Sequence, residues 1–274
     1  MTSPRRLKTS SPASPNSSES TLTARSSSTA TSTPSVLAPS APRPSRPIDH
    51  GPLGSPLFIL NLKAYPNCLG TEAERLAATL YELGKAAGVA VAIAPCAPDL
   101  GRVAAAVPIP VLAQHADPVD PGARTGSVPP EALRAAGIRG SLLNHSEHPM
   151  APLRVEEAAH RLTAIGLVPV VCARGVEDAA MLAIVQAPYL AVEPPELIGG
   201  DRAVSTAAPA VVSRTVAAVA AVAPSTRVLC GAGVHQRADV RRALELGSKG
   251  ILVASAVTRA PDPKVALQEL IAGF

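Results

Sequence analysis

The stretch Gly140-Ser141-Leu142-Leu143-Asn144-His145-Ser146-Glu147-His148 is a short apolar run that ends in a cluster of polar side chains, just ahead of a helical pattern. The same layout recurs at Asn61-Leu62-Lys63, at Gln114-His115-Ala116-Asp117 and at Glu193-Pro194-Pro195-Glu196-Leu197-Ile198-Gly199. A chain that repeatedly sets polar groups at the carboxyl ends of short strands is assembling a site there. The layout points to an enzyme rather than a passive domain.

Working outward, short apolar runs at 57–61, 89–94, 111–114, 140–144, 168–172, 189–192, 227–230 and 250–254 predict eight strands. Each is nearly continuous rather than alternating, as expected for a parallel sheet covered by helices. Between them lie helical patterns near 71–87, 97–106, 130–136, 154–165, 176–185, 208–223, 237–246 and 264–272. The first repeats Leu76, Leu80 and Leu83 on one side and Glu72, Glu74, Arg75 and Glu82 on the other. Gly88, Gly137, Gly166 and Gly247 each close a helical pattern shortly before the next strand, where a left-handed cap suits glycine. Eight such units predict a closed (β/α)8 TIM barrel over 57–274. An open doubly wound sheet is the runner-up, but no Gly-rich dinucleotide fingerprint follows the first strand.

Residues 1–56 read as a disordered Ser/Thr/Pro-rich extension, because such a composition cannot offset its ordering entropy by burial. Residues 1–50 carry six basic and two acidic side chains, which accounts for the whole net charge of +4 and leaves the rest balanced at nineteen of each. With no basic stripe on the body and 2% aromatic residues, nucleic-acid binding is not expected. The extension is open to three readings: an organelle-targeting segment, a linker or an over-long gene start. No apolar run is long enough to span a bilayer, so no membrane association is expected. Cys68, Cys96, Cys172 and Cys230 are far apart without paired spacing, which suggests free thiols in a reducing cytoplasm and no structural zinc.

In a barrel every strand ends on one face, so Asn61, Lys63, His145 and Glu193 converge. Lys63 would hold an anion and stabilise developing oxyanion charge. His145, placed where the pattern predicts a strand turning into a helix start, would be kept neutral by the helix dipole and donate to a carbonyl oxygen. Glu193, dry and therefore basic, would take a proton from carbon. Pro194-Pro195 is stiff and Gly199-Gly200 permissive, which suits a lid of residues 194–199 (Pro194, Pro195, Glu196, Leu197, Ile198, Gly199). Glu193 and Glu196 as a glycosidase-like pair fit poorly, since such carboxylates flank the bond from separate elements. Phosphate contacts are expected from Gly231-Ala232-Gly233 and Ala254-Ser255 after the last two strands, with Ser205 and Gly199 as further candidates.

From about Phe58 to Ala272 the chain resembles the triosephosphate isomerases, in particular their compact archaeal-type branch. The residues that carry the likeness are the four polar stretches above together with Thr125-Gly126 and Cys230-Gly231-Ala232-Gly233. The resemblance implies interconversion of dihydroxyacetone phosphate and D-glyceraldehyde 3-phosphate through an enediolate, with Lys63, His145 and Glu193 in the catalytic roles and Asn61 orienting the substrate oxygen. It implies no metal or organic cofactor, and self-association as a homodimer or homotetramer. The chain departs from the branch at Gly200-Asp201, where Thr-Gly is usual, at Ala256, often glycine, and at Ala123-Arg124, often Ser-His. These departures keep two other readings open: an isomerase of a related sugar phosphate, and a catalytically silent phosphate-binding barrel.

Overall fold

The computed structural model describes residues 53–194 and 208–274. Its strands are β1 (Leu57–Asn61), β2 (Ala90–Ala94), β3 (Leu112–Ala113), β4 (Gly140–Leu143), β5 (Val168–Ala173), β6 (Tyr189–Val192), β7 (Arg227–Cys230) and β8 (Gly250–Val253). They pair in parallel in the order β2-β1-β8-β7-β6-β5-β4-β3. The remaining seam, between β2 and β3, is joined by a parallel bridge from Ile93 to Val111 and by the Ile93 N–H donating to the Pro110 carbonyl at 3.1 Å. The sheet thus meets itself as a barrel.

Around it run α1 (Thr71–Ala87), α2 (Leu100–Ala106), α3 (Pro130–Ala135), α4 (Pro152–Ala164), α5 (Val176–Leu182), α6 (Pro209–Val222), α7 (Arg237–Glu245), α8 (Ser255–Thr258) and α9 (Pro263–Ile271). Gly88, Gly137, Gly166 and Gly247 all have positive φ, so the four expected caps are real. The single-turn α8 was not legible as a separate helix, because four residues carry no period. The expected third strand shrinks to two residues, since 114–129 leaves the sheet for a long loop before α3.

Burial sorts the strands by parity. One core cluster holds strand residues almost alone, among them Leu57, Ile59, Leu142, Val170, Tyr189, Ala191 and Leu252, which fill the barrel interior. The alternate residues, such as Phe58, Leu60, Leu143, Leu190 and Val253, join Leu76, Leu80 and Leu162 from the helices in a second cluster between sheet and helix ring. Both strand faces are therefore buried, which explains the continuous apolar runs. The amino-terminal end of the barrel is closed by Tyr189, whose hydroxyl donates to the Gly54 carbonyl at 2.7 Å, and by the buried Leu53. The Arg227 guanidinium lies 5.7 Å from the centre of the Tyr189 ring.

Candidate active site

The inward register that places Leu57 and Ile59 inside continues to Asn61, and the same count carries β4 to Asn144 and β6 to Glu193. All three polar side chains are buried at the carboxyl end of the barrel. Two of the strand ends turn sharply. Asn144 has a left-handed φ of 59°, and its side chain stitches the turn by donating to the Cys172 carbonyl and accepting from the Met150 N–H, both at 2.9 Å. Lys63 also has a left-handed φ, 51°, with its N–H donating to Asn61 Oδ1 at 3.0 Å. Asparagine takes this backbone more readily than most residues, but lysine does not adopt it cheaply, and such strain collects where a side chain must be aimed.

Aimed in this way, Lys63, His145 and Glu193 line one pocket. The Lys63 ammonium is 2.7 Å from Glu147 Oε1. His145 Nε2 lies 3.7 Å from Glu193 Oε2, a carboxylate oxygen with no hydrogen-bond partner among the described residues. His145 Nδ1 accepts the Glu147 N–H at 3.1 Å, so the ring proton sits on Nε2, facing the pocket. Burial first, and then the Lys63 charge, hold the imidazole below its ordinary pKa, with Glu147 opposing them. The helix start expected at His145 is absent: residues 145–148 form a single turn and α4 begins only at Pro152. The ring is thus neutral because of burial, Lys63 and one backbone donor, not because of a helix dipole.

Glu193 is almost wholly enclosed. Burial pushes its pKa up to about 8, against the lowering effects of a hydrogen bond from the Cys172 thiol and of Lys63, with Glu147 adding to the rise. Room for the carboxylate comes from Gly231, where a Cβ would stand 2.4 Å from Glu193 Cγ. The Gly231 N–H is already given to the Val192 carbonyl at 2.9 Å, so this residue supplies space rather than an anion donor. Ala232, Gly233, Ala254 and Ser255 line the far side of the same pocket, together with Val234, His235 and Ala256. Ser255 opens α8, whose first N–H groups have no carbonyl within the helix to bond.

Pro194 is described. Pro195, Glu196, Leu197, Ile198, Gly199, Asp201 and Ser205 lie outside the described residues, as does the extension up to residue 52. His115 bonds within its own loop, with Nε2 3.2 Å from Asp117 Oδ1 and its ring against that of His148. Sequence reasoning missed three features of the site: the Lys63–Glu147 contact, the thiol beside the base and the wall formed by His235. Only the second had a signal, since Cys172 shares its parity with Val168 and Val170 and so points inward. Among the described residues no group of three His, Cys, Asp or Glu side chains is arranged to hold a metal ion. No helix there is long and apolar enough to cross a membrane.

Comparison with known proteins agrees with this geometry. Residues 56–272 match the family model described as triosephosphate isomerase. The triosephosphate isomerase of Methanothermus fervidus is 44% identical over 216 residues, covering 79% of this chain and 97% of the relative. That of Methanosarcina barkeri is 41% identical over 219 residues, 80% and 99% of the two chains, and that of Methanothermobacter thermautotrophicus 42% identical over 217 residues, 79% and 95%. With its barrel, its register and its polar strand ends all accounted for, the chain belongs to the triosephosphate isomerase family.

Proposed function

We propose that the protein interconverts dihydroxyacetone phosphate and D-glyceraldehyde 3-phosphate by moving a proton between C1 and C2. The observation that carries this reading is the meeting of Glu193, His145 and Lys63 in one pocket, with the Nε2–H of a neutral imidazole facing the carboxylate. Glu193 in its ionised form takes the proton from one carbon and returns it to the other. A carboxylate stripped of water is a stronger base than one in solution, and the nearby Lys63 charge favours its ionised form.

As the proton leaves carbon, negative charge grows on the carbonyl oxygen. His145 Nε2–H and the Lys63 ammonium meet that charge as fixed donors, so little reorganisation is needed at the moment of reaction. Asn61 holds the backbone of Lys63 through its Oδ1 and completes the oxygen-orienting set. The phosphoryl group is held by Ala232, Gly233, Ala254 and Ser255, with Gly199 and Ser205 as further contacts. Residues 194–199 act as the lid that excludes water from the enediolate. The protein acts as a homodimer or homotetramer in the cytoplasm; the free thiols of Cys68, Cys96 and Cys172 suit a reducing compartment.

The test is a coupled assay of the purified full chain with D-glyceraldehyde 3-phosphate and no added metal. Turnover supports the reading. Binding of phosphate esters without turnover would leave a silent barrel, and turnover of longer sugar phosphates alone would point to a different isomerase.

A further inference from the structure

We propose that the amino-terminal end of the barrel holds a second binding site, which takes a small organic phosphate with an apolar body. A cavity of about 640 Å³ opens there, at the opposite end of the strands from Glu193. Ordinary small-molecule pockets run to roughly 300–1,000 Å³, so the room suffices. The polar wall is made by Arg134 in the last turn of α3, Thr163 in the last turn of α4, Gln186, Ser225 and Arg227. Ile165, Leu167 and Pro188 supply an apolar side. Among the described residues that line the cavity, none is acidic.

The two guanidinium groups are what the cavity leaves unbalanced. Among the described residues neither Arg134 nor Arg227 pairs with a carboxylate. Arg161, in the same helix as Thr163, shows the contrast, held by Asp120 and Glu131 at 2.7 Å and 2.6 Å. The Tyr189 ring, with its centre 5.7 Å from the Arg227 guanidinium, steadies that group without neutralising it. A half-buried cation without a counter-ion is unfavourable, and a bound anion relieves it. The neighbourhood offers no substitute. The stretches that lead from helix to strand, 88–89, 107–111, 136–139, 165–167, 183–188, 223–226 and 246–249, contain Arg139 and Lys249 but no Asp or Glu. Two guanidinium forks, two hydroxyls and a carboxamide offer more donors than a carboxylate can take, and suit the terminal oxygens of a phosphate ester. The apolar side of the cavity then receives the ester's organic group.

The experiment is calorimetric titration of the full chain with 1-naphthyl phosphate, whose dianion and ring system match the two walls. The wild type is expected to bind a single equivalent, more weakly as salt is raised. Arg227→Gln should weaken binding by about 10-fold or more, since a charged hydrogen bond is lost from a half-buried group. Arg134→Gln, at an exposed position, should weaken it by about two- to fivefold. Ser225→Asp, which sets a carboxylate on the polar wall, should weaken it more than Arg134→Gln does. Positions 134 and 225 are both exposed, so these two variants fold with an unchanged Tm whatever Arg227→Gln does. Lys63→Gln, in the active pocket at the other end, should leave the affinity within about twofold of wild type. The carboxylate 1-naphthoate should bind more weakly than the phosphate. Absence of binding, an affinity unchanged by Arg134→Gln and Ser225→Asp, or a loss in Lys63→Gln as large as in Arg227→Gln would overturn the proposal. So would 1-naphthoate binding as tightly as 1-naphthyl phosphate.

Discussion

A single methyl group at Gly231 should disable the base without unfolding the barrel. In Gly231→Ala the new Cβ would stand 2.4 Å from Glu193 Cγ, 3.1 Å from Glu193 Oε1 and 3.1 Å from the Val192 carbonyl oxygen. Non-bonded carbons rest at about 3.5–4.0 Å, so something must retreat by roughly 1 Å or more. The backbone resists, because Val192 pairs with Cys230 in the sheet and its carbonyl accepts the Gly231 N–H. The Glu193 side chain therefore moves. A misplacement of about 1 Å in a reacting group costs on the order of 100-fold in rate. Gly231 does not have a left-handed φ, so alanine meets no backbone penalty and the effect is steric. Overpacking of this kind costs about 1–3 kcal/mol of stability, or a fall in Tm of several degrees for a domain of this size. The assay is kcat and Tm of Gly231→Ala beside Gly101→Ala in α2, where an added Cβ has nothing within 4 Å. The control should keep full activity and be stabilised by roughly 0.5–1 kcal/mol, as alanine is a better helix former. A Gly231→Ala enzyme with kcat within threefold of wild type would refute the idea that this glycine makes the room for the base.

Glu193→Gln should lose several orders of magnitude in turnover while becoming more stable than the wild type, increasingly so as pH rises. The folded pKa of about 8 lies above the ordinary carboxyl value of 4.5, so the buried carboxyl favours the fold while protonated. That contribution is complete below about pH 4.5 and is lost as pH climbs to about 8. At 1.36 kcal/mol per unit, the wild type should trail the glutamine variant by about 3 kcal/mol at pH 7 and by up to about 5 kcal/mol above pH 9. Denaturant unfolding of the two proteins across this range checks it, and a gap that does not change with pH would show that Glu193 is not held in a dry site. Tyr189→Phe removes the hydroxyl that bonds the Gly54 carbonyl and should cost roughly 1–2 kcal/mol with kcat unchanged. A loss of activity as large as the loss of stability would mean that the two ends of the barrel are coupled.

The fold was legible because both faces of each strand are buried, which writes eight apolar runs with helical periods between them. The strand ends were legible for a related reason. Parity along β1, β4 and β6 carries directly to Asn61, Asn144 and Glu193. Parity fails once the chain leaves the extended state. His145 follows Asn144 in sequence, but the left-handed turn at Asn144, not a strand register or a helix start, decides where its ring points. The Lys63–Glu147 contact joins residues 84 apart, across the loops after β1 and β4, and nothing in local composition reports it. Gly231 was read as a phosphate contact because it follows the seventh strand, where barrels often gather backbone N–H groups. Its actual duty follows from the bulk of a side chain on the neighbouring strand, which one-dimensional reading does not see.

The neutrality of His145 carries the most chemical weight, and it arises from two independent sources. Electrostatically, burial and the Lys63 charge both oppose a proton on the ring, and Glu147, more than half exposed, only partly offsets them. Structurally, Nδ1 accepts the Glu147 backbone N–H, and that donor cannot be withdrawn without breaking the 145–148 turn. Protonating Nδ1 would set two N–H groups against each other in a buried place, at a cost of about 1–3 kcal/mol for the lost bond and the unsatisfied donor. An imidazolium would also give up its proton too readily to serve as a fixed donor to a growing oxyanion, whereas neutral Nε2–H stabilises that charge and keeps its proton. Nitrogen-15 NMR of histidine-labelled protein should therefore show a protonated Nε2 and a bare Nδ1, with double protonation setting in only at a pH below that of an ordinary imidazole. If His145 became doubly protonated as readily as an ordinary imidazole, proton donation to the substrate rather than polarisation would be the better account of its role.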